Sequence, residues 1–158
     1  MKYRISVLVM ILFMVIITSC TANKDYPEEV RVVAEYVEEK GYDIVSYEGR
    51  GQSYLLTKGL ITELPHMMYW GAQPFDASVY LGQRIEVENF IVENHPLSED
   101  RVDVSVFVVE NQPIGGTAFP HGDTSDGGYW NLDGNTLEEI QTKPFQEWKA
   151  DWEALYAE

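Results

Sequence analysis

The chain has 158 residues, 45% hydrophobic and 23% charged, with 11 basic against 26 acidic side chains and a formal net charge of −15. This length and composition describe one folding domain and exclude a disordered or collagen-like chain, while the acidic excess excludes the basic face that nucleic acid requires. A single cysteine excludes a disulfide framework, a paired-cysteine redox site and a cysteine-built zinc site.

Residues 1–20 read as an export signal. Lys2 and Arg4 form a positive start, and 12 of the 13 residues from 5 to 17 are apolar, Ser6 being the exception. A spanning helix needs about 20 apolar residues, so this run has the length of a signal core. No acidic residue precedes Asp25, and this charge step places the start of the chain inside and everything after Cys20 outside. Ile17-Thr18-Ser19-Cys20 resembles the lipobox of bacterial prolipoproteins: an aliphatic residue, two small ones and a cysteine. The resemblance implies diacylglycerol on the Cys20 sulfur, cleavage before Cys20 and acylation of the new amino group, with chains such as palmitate in the membrane. Without cleavage, the same residues make a signal anchor. Both readings give an extracytoplasmic domain tied to the cell membrane.

The expected organisation is a signal peptide over 1–19, a lipidated cysteine and polar tether over 20–25, and one domain over 26–158. Extended, the tether after Cys20 reaches at most roughly 17 Å. The acidic domain is repelled by an anionic surface, so attachment falls to acyl chains worth about 0.8 kcal/mol per buried CH₂.

Asp25 as N-cap, Pro27 in the first turn and Glu28 in a capping-box position predict a helix start. Val30, Val33, Ala34 and Val37 then keep helical spacing, and Gly41 stands where a helix terminates. Residues 42–47 and 52–57 read as a hairpin around Glu48-Gly49-Arg50-Gly51. Pro65 opens a short helix through Met67, Met68, Tyr69 and Trp70, and Pro74 ends it.

Residues 84–93 form a strand whose alternation slips at Glu88-Asn89, the pattern of a bulge. Val102, Val104, Val106 and Val108 alternate with Asp103 and Ser105, the clearest half-buried strand. A turn at Asn111-Gln112-Pro113 leads to a strand over 114–119, a loop over 120–127, a strand over 129–132 and a turn at Asp133-Gly134. Phe145, Trp148, Trp152 and Leu155 mark one face of a last helix. The order predicts a single α+β domain. Its antiparallel sheet has about five or six strands, with the N-terminal and C-terminal helices packed on one face.

Tyr69-Trp70-Gly71-Ala72-Gln73, residues 76–82, Val92-Glu93-Asn94 and Ile114-Gly115-Gly116 resemble, in order, elements of a family of uncharacterised Gram-positive envelope lipoproteins. The resemblance spans roughly residues 30–135 and implies an envelope location without an assigned chemistry.

Chemistry has few local signatures. In the loop over 121–128, Asp123 and Asp126, with Asn131 or Asp133 nearby, offer oxygens of the kind Ca²⁺ wants. The acids are three apart and no terminal Glu follows, so the segment reads as a turn-rich connection and no metal is expected. His66, His95 and His121 lack the spacing of a helical metal pair and read as solvated or locally bonded residues, although any one can serve as a base. No nucleophile elbow, Ser-x-x-Lys pair or phosphate loop is present, and no cofactor is expected.

The aromatic stretches carry more. Met67, Tyr69, Trp70, Tyr129 and Trp130 are the candidate contacts for a sugar or peptide, while Trp148 and Trp152 read as core. Gly115-Gly116 reads as a bulge or a close backbone approach. The expected function is a non-enzymatic, lipid-anchored binding module for an envelope protein or wall component. The alternative is a small lipid-anchored wall hydrolase, which needs two close acids or a histidine oriented by a carboxylate. A solute-binding subunit with two hinged lobes needs two domains, and this chain supplies one.

Overall fold

A computed structural model describes residues 26–122 and 128–157; the expected signal, Cys20 and tether lie outside them, as do Asp25, Asp123 and Asp126. The described chain folds as one α+β unit around a five-stranded antiparallel sheet of order β1-β2-β3-β4-β5. A 3₁₀ turn (Glu28–Val30) runs into helix α1 (Arg31–Glu39), and Gly41 takes a φ of +87° just after it. Val30, Val33, Ala34 and Val37 are buried, as their spacing requires.

The residues read as a hairpin form one strand, β1 (Asp43–Leu55), paired along its whole length with β2 (Arg84–Glu93). The pairing runs from Asp43 opposite Glu93 to Leu55 opposite Arg84, with shifts between Ile44 and Ser46, Tyr47 and Gly49, and Arg50 and Ser53. β1 thus spends 13 residues against the 10 of β2, and the surplus bulges out. Gly49, at φ +94°, serves a bulge rather than a tight turn. The same finding corrects the slip at Glu88-Asn89: β2 pairs with β3 (Val102–Val109) without a break, and the bulges belong to β1.

The slip in β2 has a different origin. Ile85 and Val87 are buried on one face of the sheet, whereas Glu88, Phe90 and Val92 are buried on the other. β3 shows the same doubling, since adjacent Val106 and Phe107 belong to separate cores. Helix α1 packs against Phe90, Val92, Val104 and Val106 on the first face. Helices α2 (Lys58–Ile61), α3 (His66–Gly71), α4 (Leu137–Gln141) and α5 (Phe145–Tyr156) gather with Ile85, Val87, Phe107 and Val109 on the opposite face. The expected single helical layer is therefore two layers with the sheet between them. Strand alternation alone could not reveal this, because burial on both faces erases the polar–apolar rhythm.

Glu110 and Asn111, both at positive φ, turn β3 into β4 (Gln112–Pro120), and β5 (Trp130–Asn131) pairs only with Thr117 and Ala118. A register shift after Phe107 leaves Ile114 as the extra residue of β4, so the paired glycines do adjoin a bulge. α4 carries a capping box between Thr136 and Glu139, a start signal legible in the sequence and not used there. In α5 the buried row is Trp148, Trp152 and Tyr156, and Leu155 is 65% exposed. Tyr156 takes its place because 148, 152 and 156 keep a constant i, i+4 step.

Trp152 is 8% exposed, and its indole N–H donates to the Ile61 carbonyl at 2.9 Å. Trp152→Ala removes that bond and a large buried ring, so it should cost about 3–5 kcal/mol in denaturant unfolding. An unchanged midpoint would mean that α5 does not hold this face together.

Candidate functional site

The two cores leave part of the second sheet face uncovered. β-sheet register places Asn89 opposite Ser105, Ser105 opposite Thr117, and Thr117 opposite Asn131. Directly opposed residues share a face, so these side chains form a neutral polar row across four strands. Val87 and Phe107 flank it toward the helical core, and Asp103 and Phe119 flank it on the other side.

Asn89, Ser105 and Thr117 of this row floor a groove of about 320 Å³ that also takes in Gly51, Gln52, Tyr54, Pro65, His66 and Tyr69. No Asp, Glu, Lys or Arg side chain lines it. A hollow of 440 Å³ at the start of β2 is instead lined by Arg84, Glu86, Glu110 and Asn111 and contains no ring. Of these two hollows, the first brings together concavity, rings and unspent polar groups.

Each wall is held by an identifiable contact. Gln73, 2% exposed, donates from its amide to the carbonyls of Tyr69 (2.7 Å) and Gly116 (2.9 Å), and accepts from the Gly116 N–H at 3.2 Å. The end of α3 is thereby tied to β4 beside Thr117. Glycine is required at 116, where a Cβ would lie 2.2 Å from the Ser105 carbonyl oxygen. Tyr54 accepts from the Trp70 indole at 3.2 Å, and burial pushes its phenol up to about 12. His66 packs edge-on against Tyr54 at 4.8 Å, Tyr69 against Phe119 at 6.4 Å.

The polar groups are only partly used. Ser105 donates to the Asn89 side-chain oxygen at 2.7 Å, whereas the Asn89 amide reaches the Gly49 carbonyl at a long 3.4 Å. Among the described residues, the His66 ring and the Thr117 hydroxyl have no hydrogen-bond partner in the structure, and the buried Asn131 amide nitrogen is likewise unpaired. Burial lowers the His66 pKa, with Glu63 opposing, so the ring is held toward its neutral form.

The expected contact residues divide. Tyr69 stands 5.7 Å from Tyr129, and Phe119 stands 6.1 Å from Trp130, so Tyr69, Tyr129 and Trp130 form one aromatic row with Phe119. Met67 and Trp70 do not join it. They are 3% and 1% exposed, and Trp70 stacks on Phe107 at 5.3 Å in the core. The short helix turns one side to the sheet, and its i, i+3 step buries 67 and 70 together. Tyr54, Asn89, Ser105, Thr117 and Phe119 escaped the sequence reading as site residues, and His66 entered it only as a lone imidazole; the one visible signal was Ser105, a polar position between the valines of 102–108.

The other histidines have separate settings. His95 is 4% exposed; its Nδ1 accepts from the Leu97 N–H at 3.1 Å and its Nε2 donates to the Leu132 carbonyl at 3.0 Å. It is a structural residue. His121 places Nδ1 2.8 Å from the Asp103 carboxylate, and both side chains are more than two-fifths exposed. This pair lies outside the groove lining, and Ser105 bonds to Asn89 rather than to His121. Among the described residues, no three metal-ligating side chains cluster, and no helix is long and apolar enough to cross a membrane.

No protein-family model, no curated protein and no solved structure matches this chain. The groove is therefore understood from its own chemistry.

Burial is the main cause holding the His95 pKa below its ordinary 6.5, against the opposing Leu132 bond. As pH falls, the unfolded chain takes the proton first, so the stabilisation is full above about 6.5 and is lost below it. Thermal unfolding of the parent and of His95→Gln should show the parent's advantage shrinking from about pH 7.5 to about 5.5. A constant difference would contradict the neutral, buried assignment.

Proposed function

We propose that this protein is a lipid-anchored, extracytoplasmic binding module, held at the cell membrane through Cys20, that receives an envelope component in the aromatic groove. The observation that carries the reading is the groove itself: a neutral polar row, walled by Tyr54, His66, Tyr69 and Phe119, in a chain of net charge −15. Its rings are fixed in place by Gln73 and Trp70, so little side-chain freedom is lost on binding. The N-terminal residues supply the address, and a short tether keeps the groove near the membrane surface.

A hydrolase is the second reading, favoured by one contact. His121 and Asp103 form the base-and-orienter pair that such an enzyme needs. The pair is exposed, has no hydroxyl bonded to it, and borders the groove without lining it, so the binding reading ranks first.

Attachment is tested in cells: Cys20→Ala should abolish incorporation of labelled fatty acid and lipoprotein-type cleavage. Mature protein carrying an unmodified Cys20 would remove the anchor from this account.

In detergent, the full chain should sediment with lipid-extracted envelope material, to which the Cys20 anchor cannot hold it, and Tyr69→Ala should lose that retention while circular dichroism stays unchanged. Retention that survives Tyr69→Ala places binding elsewhere. Turnover of wall polymer or ester by the full chain, lost in His121→Ala, would establish the hydrolase instead.

A further inference from the structure

We infer that the groove takes an uncharged glycan, with a sugar ring against the aromatic wall and its hydroxyls on the row Asn89, Ser105 and Thr117. The inference rests on the groove being the binding site and adds the class of ligand.

The lining selects by charge first. An anionic polymer meets a chain of net charge −15 and finds no Lys or Arg in the groove. A cation is drawn by that field but finds no carboxylate among the lining residues. A methylated ammonium would fit the rings and leave the polar row buried and unpaired, which costs more than it gains. A neutral ligand remains.

Hydrogen-bond type selects next. The floor offers an amide and two hydroxyls at successive strand positions, groups that between them both donate and accept. Sugar hydroxyls do the same. The long Asn89–Gly49 contact, and a Thr117 hydroxyl without a partner among the described residues, leave capacity for them. Polarised C–H bonds on the face of a sugar ring suit the negative face of Tyr69 or Phe119.

Geometry then disfavours a peptide. Extended peptides usually win affinity by adding to a sheet edge through main-chain bonds. This groove lies over the middle of the sheet, where β2 and β3 already pair on both sides. Side chains alone remain to be read, as a glycan requires.

The test uses the full chain in a detergent without a sugar headgroup. Chitotetraose, cellotetraose and maltotetraose are titrated beside polyglycerol phosphate, choline and an end-blocked neutral peptide. At least one tetrasaccharide should bind, and none of the other three probes. Thr117→Val, which keeps side-chain shape and removes the hydroxyl, should weaken binding by about tenfold, and Phe119→Ala should weaken it at least as much. Failure of all three tetrasaccharides, or binding indifferent to Thr117→Val, overturns the inference. Choline or peptide binding that depends on Phe119 also overturns the ligand class, while leaving the groove as the binding site. Envelope retention lost in Tyr69→Ala, without glycan binding, separates the same two failures.

Discussion

The amide of Gln73 is the contact on which the site depends. β5 pairs with only two residues of β4, and the backbone of Gly116 would otherwise lack a neighbour on that edge. Gln73 takes both polar groups of Gly116 and returns a bond to Tyr69 in the helix just before it. One buried side chain thus replaces a missing strand partner and fixes the distance between α3 and the sheet. A buried amide with its donors satisfied is stiff, because any shift leaves a polar group unpaired at a cost of about 1–3 kcal/mol.

That spacing matters because the sheet is shared between two helical layers. α1 covers one face with a row of valines, and the short helices with α5 cover only part of the other. The remainder is too polar to close over: Asn89, Ser105 and Thr117 stand where an apolar row would have completed the core. The groove is what is left when a helical layer stops short of a polar row.

Electrostatics separates this site from the rest of the molecule. Ion pairs such as Arg50 with Glu88 (2.7 Å) and Lys40 with Asp133 (2.6 Å) lie outside the groove lining. Glu88 is 2% exposed on the α1 side of the sheet, where Arg50 and the Tyr47 hydroxyl satisfy it. Adjacent Asn89 points the other way and carries no charge. One residue of strand register therefore divides a half-exposed ion pair from the neutral floor of the groove.

Local chemistry made much of the fold legible in the sequence. The spacing of Val30, Val33, Ala34 and Val37 specified α1, Pro65 specified the start of α3, and the valines of 102–108 specified β3, because each depends on neighbours within a turn or a strand. Tyr69, Tyr129 and Trp130 were recognisable as aromatic candidates for the same reason. Tertiary structure alone decided that β1 is one bulged strand and that the helices lie on both faces. It also decided that Trp70 is core while Phe119 is wall. Those outcomes follow from cross-strand register, which sets Asn89, Ser105 and Thr117 in one row although 28 positions separate the first from the last. No local period encodes such a row; it exists only once three strands are paired.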